Sequence, residues 1–310
     1  MIKSFTVTNY LGESIEMDIR KPEDTGFLIT SVTGITDPEA DISLSDSPYD
    51  GSVYSSARVS EREITMSIIF YQDNKVFDPI SNQKVILDIE QLRHKCYRYF
   101  PLKKPLSLIV TNDSGSYEIT GYVKANEINI FTKQEGAQIQ IECPDPYFKK
   151  AGDPVNIELS DVIGNFQFPV KFEQTQQFGF VKPYPMTEID YNGASDCGIK
   201  IHMLALGPVI NPVIYDLNNS QYIKILNSKL ILKTGFGFST YDEIVINTER
   251  GQKSVMFNHE GVLTSVYQSM DKNSKWITLT TGINRFAYSA DSGRENLRVT
   301  LEFFPKYLGV

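Results

Sequence analysis

Apolar and polar residues alternate along most of this chain, in short runs that stop at glycine, asparagine or proline. A period of two marks a strand with one face on a core and the other in water. Residues 4–20, SFTVTNYLGESIEMDIR, hold two such runs about Asn9–Gly12, which predicts a hairpin. REITMSIIF at 62–70 sets Ile64, Met66 and Ile68 against Glu63, Thr65 and Ser67. LSLIVTNDSGSYEITGYV (106–123) turns at Asn112–Gly115, and EINIFTKQEGAQIQIEC (127–143) turns at Glu135–Gly136. Residues 106–143 therefore read as an antiparallel meander.

One segment has the other period. In SNQKVILDIEQLRHKCYRYFP (81–101), Val85, Ile89, Leu92 and Cys96 fall on one helical stripe. Ser81 or Asn82 can cap its start, Pro101 closes its end, and Arg93, Lys95 and Arg98 suit the C-terminal dipole. This is the one strong helix signal in the chain.

The meander ends at CPDPYF (143–148). Pro144 and Pro146 have no N–H for a ladder, so the sheet stops there. The polar KKAGDPVN that follows reads as a linker, which predicts domains at 1–148 and 149–310. Beyond it lie short strands with turn signals: GIKIHMLALG (198–207), YIKIL (222–226), LILKTGFGF (230–238), DEIVINT (242–248), KWITLTTG (275–282) and LRVTLEFF (297–304). That spacing suggests a sandwich or jelly roll. Segments 20–48 and 151–188 fit neither pattern and carry no assignment.

Length and composition narrow the class. At 310 residues the chain is long enough for two domains with cores of their own. Its net charge of -8 gives it no general attraction for phosphate backbones. Cys96, Cys143 and Cys197 are far apart and odd in number, which argues against a disulfide framework. No apolar run approaches 18 residues, and the start lacks the apolar stretch of a signal peptide, so no membrane insertion is expected.

Catalytic signals are sparse. Of His94, His202 and His259, none has a metal-spaced partner in sequence, and His202 points away from Ile199, Ile201 and Met203. Cys143 lacks any local mark of a nucleophile. GFGFST (235–240) has a Gly-x-Gly but no helix after it, so it reads as a strand edge, not a phosphate loop. Asp190 with Asp196, or Asp242 with Glu243, are the carboxylate pairs available for glycoside hydrolysis. Tyr184, Tyr191, Tyr215, Tyr222, Phe236, Phe238 and Trp276 are the aromatics available for stacking on sugar rings. No catalytic, cofactor or metal residue is assigned, and an enzyme is not expected.

Several spaced features taken together resemble a known family. They are the Tyr-Asn-Gly start, Gly207 and Asn211-Pro212 in IDYNGASDCGIKIHMLALGPVINPVIYDLNNSQYIKI (189–225), and Ile-Asn-Thr before Lys-Ser-Val in EIVINTERGQKSVMFN (243–258). WITLTTGINRFAYSADSGRENLRVTLEFFPKYLGV (276–310) follows, with YDGSVYSSARVSEREITMSIIFY (49–71) and CPDPYF in the first half. In this order they resemble phage distal tail proteins, the baseplate hub proteins of long-tailed phages of Gram-positive bacteria.

The resemblance implies a mainly β chain. Its N-terminal domain would be a tail-tube-like β-sandwich with one flanking helix, and its C-terminal domain a galectin-like jelly roll. It implies a homo-hexameric ring joining the tail tube protein to the hub or tail-fibre protein, with receptor-binding proteins as further partners. DNA would pass the channel without specific binding. The location implied is the virion tail tip, after assembly in the host cytoplasm. Arg58, Arg62 and Glu63 are the candidates for contacts between subunits, the two arginines through bidentate bonds to a neighbour's acids. Glu13, Glu16 and Asp18 are the candidates for the channel lining, where carboxylates would repel phosphates. Two other classes stay open: a carbohydrate-binding adhesion module with Trp276 as its platform, and a glycan-cleaving enzyme using Asp190 or Asp242.

Overall fold

The computed structural model describes all residues except 37, 79–81, 165–178 and 184–185, and only the backbone of 78, 160–164 and 179–183. The chain forms two compact units. The first is Met1–Gly152 together with Tyr307–Val310, and the second is Asp153–Lys306. The last four residues thus group with the first unit, although in sequence they follow the second. Tyr307 packs edge-on against Tyr117, with ring centroids 5.2 Å apart.

The first unit contains β1 (Ile2–Thr8), β2 (Ser14–Asp18), β3 (Phe27–Thr33), β4 (Ala40–Asp46), β5 (Ser52–Val59), β6 (Arg62–Phe70), β7 (Val76–Asp78) and β8 (Gln83–Val85). Helix α1 (Ile89–Tyr99) follows, then β9 (Pro105–Asn112), β10 (Gly115–Asn129), β11 (Gly136–Cys143) and β12 (Phe148–Lys150). The main sheet runs β2-β1-β9-β10-β11-β6-β3, with β12 beside β10. Alternation does what the sequence suggests. Phe5, Val7, Met17, Ile64, Met66, Ile68, Leu108, Val110, Ile139 and Ile141 face one way and are buried in one cluster with Leu92, Cys96 and Phe100.

Helix α1 is shorter than its sequence stripe. Asp88 caps it: its Oδ1 accepts the Gln91 N–H at 2.7 Å, and the Gln91 side chain accepts the Asp88 N–H at 3.0 Å. This reciprocal box starts the helix a full two turns after Asn82. Asn82 itself has φ 55, a left-handed turn conformation that no helix continues, and Val85 lies in a strand. Ser81 lies outside the described residues.

The second unit contains β13 (Val155–Glu158), β14 (Ser160–Gly164), β15 (Gly179–Pro183), β16 (Thr187–Tyr191), β17 (Cys197–Gly198), β18 (Lys200–Ala205), β19 (Val213–Asp216) and β20 (Gln221–Lys224). After α2 (Asn227–Thr234) come β21 (Glu243–Asn247), β22 (Ser254–His259), β23 (Val262–Ser265), β24 (Thr278–Leu279), β25 (Gly282–Ser289) and β26 (Leu297–Phe303). A six-stranded sheet, β13-β26-β18-β21-β22-β23, and a four-stranded sheet, β16-β25-β19-β20, share one core. Ile201, Met203, Ile244, Phe257, Val299 and Leu301 of the first meet Ile189, Ile214, Ile223, Phe286 and Tyr288 of the second. This is a β-sandwich.

Helix α2 corrects the strand expected at 230–238. It buries only Leu230, so its sequence carries almost no stripe. Its ends are held instead. The side chain of Asn211, far back in the chain, accepts the Asn227 N–H at 2.7 Å. Gly235 closes the C-terminus at φ 82 and donates its N–H to Ile231 at 2.8 Å. The Gly235 in GFGFST is therefore a helix cap and not a strand bulge.

Candidate functional site

Three regions of the surface are built from the residues singled out in sequence. The first is the outer face of the main sheet in the first unit. Pairing register lays its residues in rows. Asp18, Ser4, Thr111 and Ser116 form one, and Glu16, Thr6, Ile109 and Glu118 the next. Farther across, Tyr122, Glu142 and Glu63 align, as do Gln140, Thr65 and Thr33. Hydroxyls and carboxylates bind each other within and between the rows: Thr8 with its partner Ser14 at 2.8 Å, and diagonally Ser4 to Glu16 at 2.8 Å and Ser107 to Glu118. Glu16, Asp18, Glu63, Glu118 and Glu142 stand against Lys124 and Lys149. The face is a hydroxyl- and amide-rich surface with an excess of acid.

Of the channel candidates, Glu16 and Asp18 lie on this face. Glu13 lies on the β1–β2 turn and is bound to Arg98 at the end of α1 and to the Asn9 amide at 3.0 Å. These bonds, Arg98 first, hold its carboxyl down at about 2.

The second region is the hairpin of β4 and β5. All of β4 is exposed, and β5 is exposed up to its last residue. Ile42 pairs with Ala57 and Leu44 with Tyr54, which puts these four on one side. Asp41, Ser43, Ser56 and Arg58 share the other. Ile42, Leu44 and Tyr54 are 62%, 61% and 63% exposed, so an amphipathic ribbon holds its apolar side in water. A two-stranded ribbon of this kind is marginal alone. Its alternation, ADISLSD against SVYSSARV, was readable in sequence, but the unassigned 20–48 segment hid its first strand.

The subunit-contact candidates divide. Arg58 sits on this ribbon, bound by Nε and Nη2 to Asp41 Oδ2 at 3.1 and 2.9 Å. That is an exposed ion pair within one hairpin. Glu63 is on the polar sheet face, paired with Lys124 at 2.9 Å. Arg62 is not a surface residue: it is 4% exposed. Its guanidinium donates to the carbonyls of Pro146 (2.8 Å), Gly34 (2.6 Å), Ile35 (3.0 Å) and Leu308, and lies over the Phe148 ring. It ties β6 to three distant backbone segments of the first unit, at 34–35, 146 and 308, and has no bidentate face to offer a neighbour.

The third region is the second unit's polar and aromatic side chains. Asp242 ends the loop before β21 and Glu243 begins that strand, and the two point apart. Asp242 is buried and accepts from Ser239 N (2.8 Å), Ser239 Oγ (3.2 Å) and His259 Nδ1 (2.7 Å). Glu243 faces outward to His202 Nδ1 at 2.8 Å, with Glu302 3.3 Å from the other ring nitrogen. No hydrolytic carboxylate pair forms from these two. Asp190 lies on β16 opposite Ile283, and Asp196 is exposed in the loop before β17. Burial pushes the Cys96 and Cys143 thiols up to about 12, which keeps both protonated and unreactive.

Among the aromatics, Tyr191 and Phe238 are core residues. Tyr215 and Tyr222 pair across β19 and β20 with centroids 6.3 Å apart. Trp276 is half-buried; Tyr267 stacks on it at 6.0 Å and Lys253 Nζ lies 5.3 Å from its ring centroid. Phe236 is half-exposed. Tyr184 lies outside the described residues.

No protein-family model and no curated protein matches the sequence. Solved structures do match the fold. Over 99% of this chain and 100% of the other, it superposes on the Dit protein of phage SPP1 with a TM-score of 0.63 at 13% identity. That protein is described as a paradigm of the hub adsorption apparatus in phages infecting Gram-positive bacteria. A chain of the phage P2 baseplate, in its activated conformation with Ca, matches over 100% of both chains with a TM-score of 0.50 at 11% identity. The chain has the mainly β fold of a phage distal tail protein along its whole length.

Proposed function

We propose that this protein is a structural hub at the distal end of a phage tail, where six copies close a ring around the DNA path. The observation that carries this reading is the fold likeness to a tail hub protein over the whole chain, both units included. The geometry of the first unit supports it independently. The β4–β5 ribbon offers an exposed apolar side that another chain could cover, and a ring is closed by such non-self contacts. The polar face of the main sheet suits a channel. Its carboxylates repel phosphates, and it has few cations to replace DNA counterions. Glu16 and Asp18 line it in this reading, joined by Glu63, Glu118 and Glu142. The tail tube protein and the hub or fibre protein are the neighbours above and below.

The test is light scattering with negative-stain imaging of the protein, alone and mixed with its tube and hub partners. A particle six times the 35.1 kDa chain, with an open centre, is expected. Ile42→Asp with Leu44→Asp should abolish it while leaving the melting temperature of the isolated chain unchanged, since neither side chain is in a core. A protein that stays monomeric even with both partners present would sink this reading.

A further inference from the structure

The ribbon of β4 and β5 belongs to no larger sheet, so its direction is set where its two legs join the first unit. The entry leg is 34–39 and the exit leg is 60–61. Ser60 donates its N–H to the Glu39 carbonyl at 2.9 Å and closes the legs on each other. At Gly34, φ 83, the entry leg is pressed onto β6: a Cβ there would stand 2.0 Å from the Glu63 carbonyl oxygen. Arg62, the first residue of β6, follows the exit leg and holds the entry leg, donating to the Gly34 and Ile35 carbonyls at 2.6 and 3.0 Å. The root of the ribbon is therefore a clamp centred on one buried guanidinium.

One wall of that clamp comes from Tyr307–Val310. The Leu308 carbonyl accepts from Arg62 Nη2. Gly309 runs along the entry leg: a Cβ on it would lie 3.5 Å from Thr36 Cα and 3.6 Å from the Ile35 oxygen, ordinary van der Waals contact. Val310 packs against the core cluster that holds Ile35, and Tyr307 anchors the segment on the Tyr117 ring. Without these residues Arg62 loses an acceptor, and 35–36 lose the backbone that lies beside them.

We propose that Tyr307–Val310 is a strap that fixes the pose of the β4–β5 ribbon, and that the ribbon is set only once the second unit has been made. Chain order carries the second half: Asp153–Lys306 lies between the meander of the first unit and the strap. A polypeptide that stops short of the strap, nascent or truncated, presents a ribbon that swings about its root. Ordering such a ribbon on a neighbour costs conformational entropy that a strapped one has already lost. Incomplete chains are thereby disfavoured in assembly. That consequence rests on the ring reading; the strap itself does not.

The test is pulsed electron resonance between nitroxides on Asp50→Cys, at the ribbon turn, and Ser114→Cys, in the β9–β10 turn, both exposed positions. The protein's own cysteines are buried and stay unlabelled. Ile42→Asp and Leu44→Asp are added throughout, so that no second copy orders the ribbon. The complete chain should give one narrow distance distribution, and removal of Tyr307–Val310 should about double its width, as a two-stranded ribbon does not hold itself. A control pair, Glu90→Cys on α1 with Ser114→Cys, should stay narrow. Val310→Asp, which keeps Tyr307 and Leu308, should widen the first pair in the same direction, and it decides the matter if the shortened chain does not fold. Equal widths with and without the strap would overturn the proposal. So would equal broadening of both pairs, since the loss would then be general. The distances are read on single chains, so failure here is separate from failure of the ring.

Discussion

The two units solve the same problem, how to cover the apolar face of a sheet, in different ways. The second lays one sheet on another, so each inner face is the other's cover and the core closes on itself. The first packs α1, with loop residues such as Ile35, on one sheet face, leaves the opposite face polar, and extends a ribbon whose apolar side chains Ile42, Leu44 and Tyr54 are exposed. A unit that closes itself can present surface features to whatever comes. The difference is one of closure: the second unit's inner faces cover each other, while the first keeps apolar side chains of its ribbon in water.

The comparison is sharpened most by breaking each unit in turn. Phe257 lies in the second unit's core, 1% exposed, beneath the His259 stack. Phe257→Ala should cost that unit about 3–5 kcal/mol through lost burial and a cavity. Followed in urea, the transition of the second unit should move while that of the first stays. A shift of both together would show that the units do not unfold independently.

Arg62 is the matching point in the first unit. Arg62→Ala leaves four carbonyls, two of them in buried bonds and two part-buried, without this donor and should cost that unit about 3 kcal/mol. Removing Tyr307–Val310, which takes away the Leu308 carbonyl and the Tyr307 ring on Tyr117, should destabilise the same unit and spare the second. If the truncation moved only the second unit's transition, the terminal residues would belong where the linear order puts them.

The smallest effect is electrostatic. Glu13 has its carboxyl lowered from 4.5 to about 2 by Arg98 and Asn9. A folded value below the unfolded one means the stabilisation is present above pH 4.5 and is lost as pH falls through about 2. Urea midpoints of the first unit should therefore drop across this window, and Glu13→Gln should flatten part of the drop. The second unit's midpoint should not respond to the substitution.

Much of the fold could be read along the chain because alternation is local. Ile64, Met66 and Ile68 against Glu63, Thr65 and Ser67 already say which side of β6 is wet, and the 106–143 meander needs only its own turns. The places where reading failed are those where a residue's partner lies far away. Helix α2 depends on Asn211 for its start, and α1 begins at the Asp88–Gln91 box and not where its apolar stripe begins. Arg62 looked like a surface cation because its surroundings in sequence, VSEREI, are polar. Its true partners are at 34, 35, 146 and 308.

The functional regions divide the same way. By itself the sequence determined that this is a mainly β chain, acidic, with acids such as Glu16 and Asp18 on the solvent side of an early hairpin. Each of these follows from composition or from a period of two. Only the tertiary structure decided that those acids join Glu63, Glu118 and Glu142 on one face, that the 40–59 ribbon keeps Ile42, Leu44 and Tyr54 exposed, and that Phe236 stacks on His259 while Trp276 stacks on Tyr267. The physical reason is that exposure is not a property of a residue. It is what remains after strands, rings and hydrogen-bond partners from distant parts of the chain have taken their places around it.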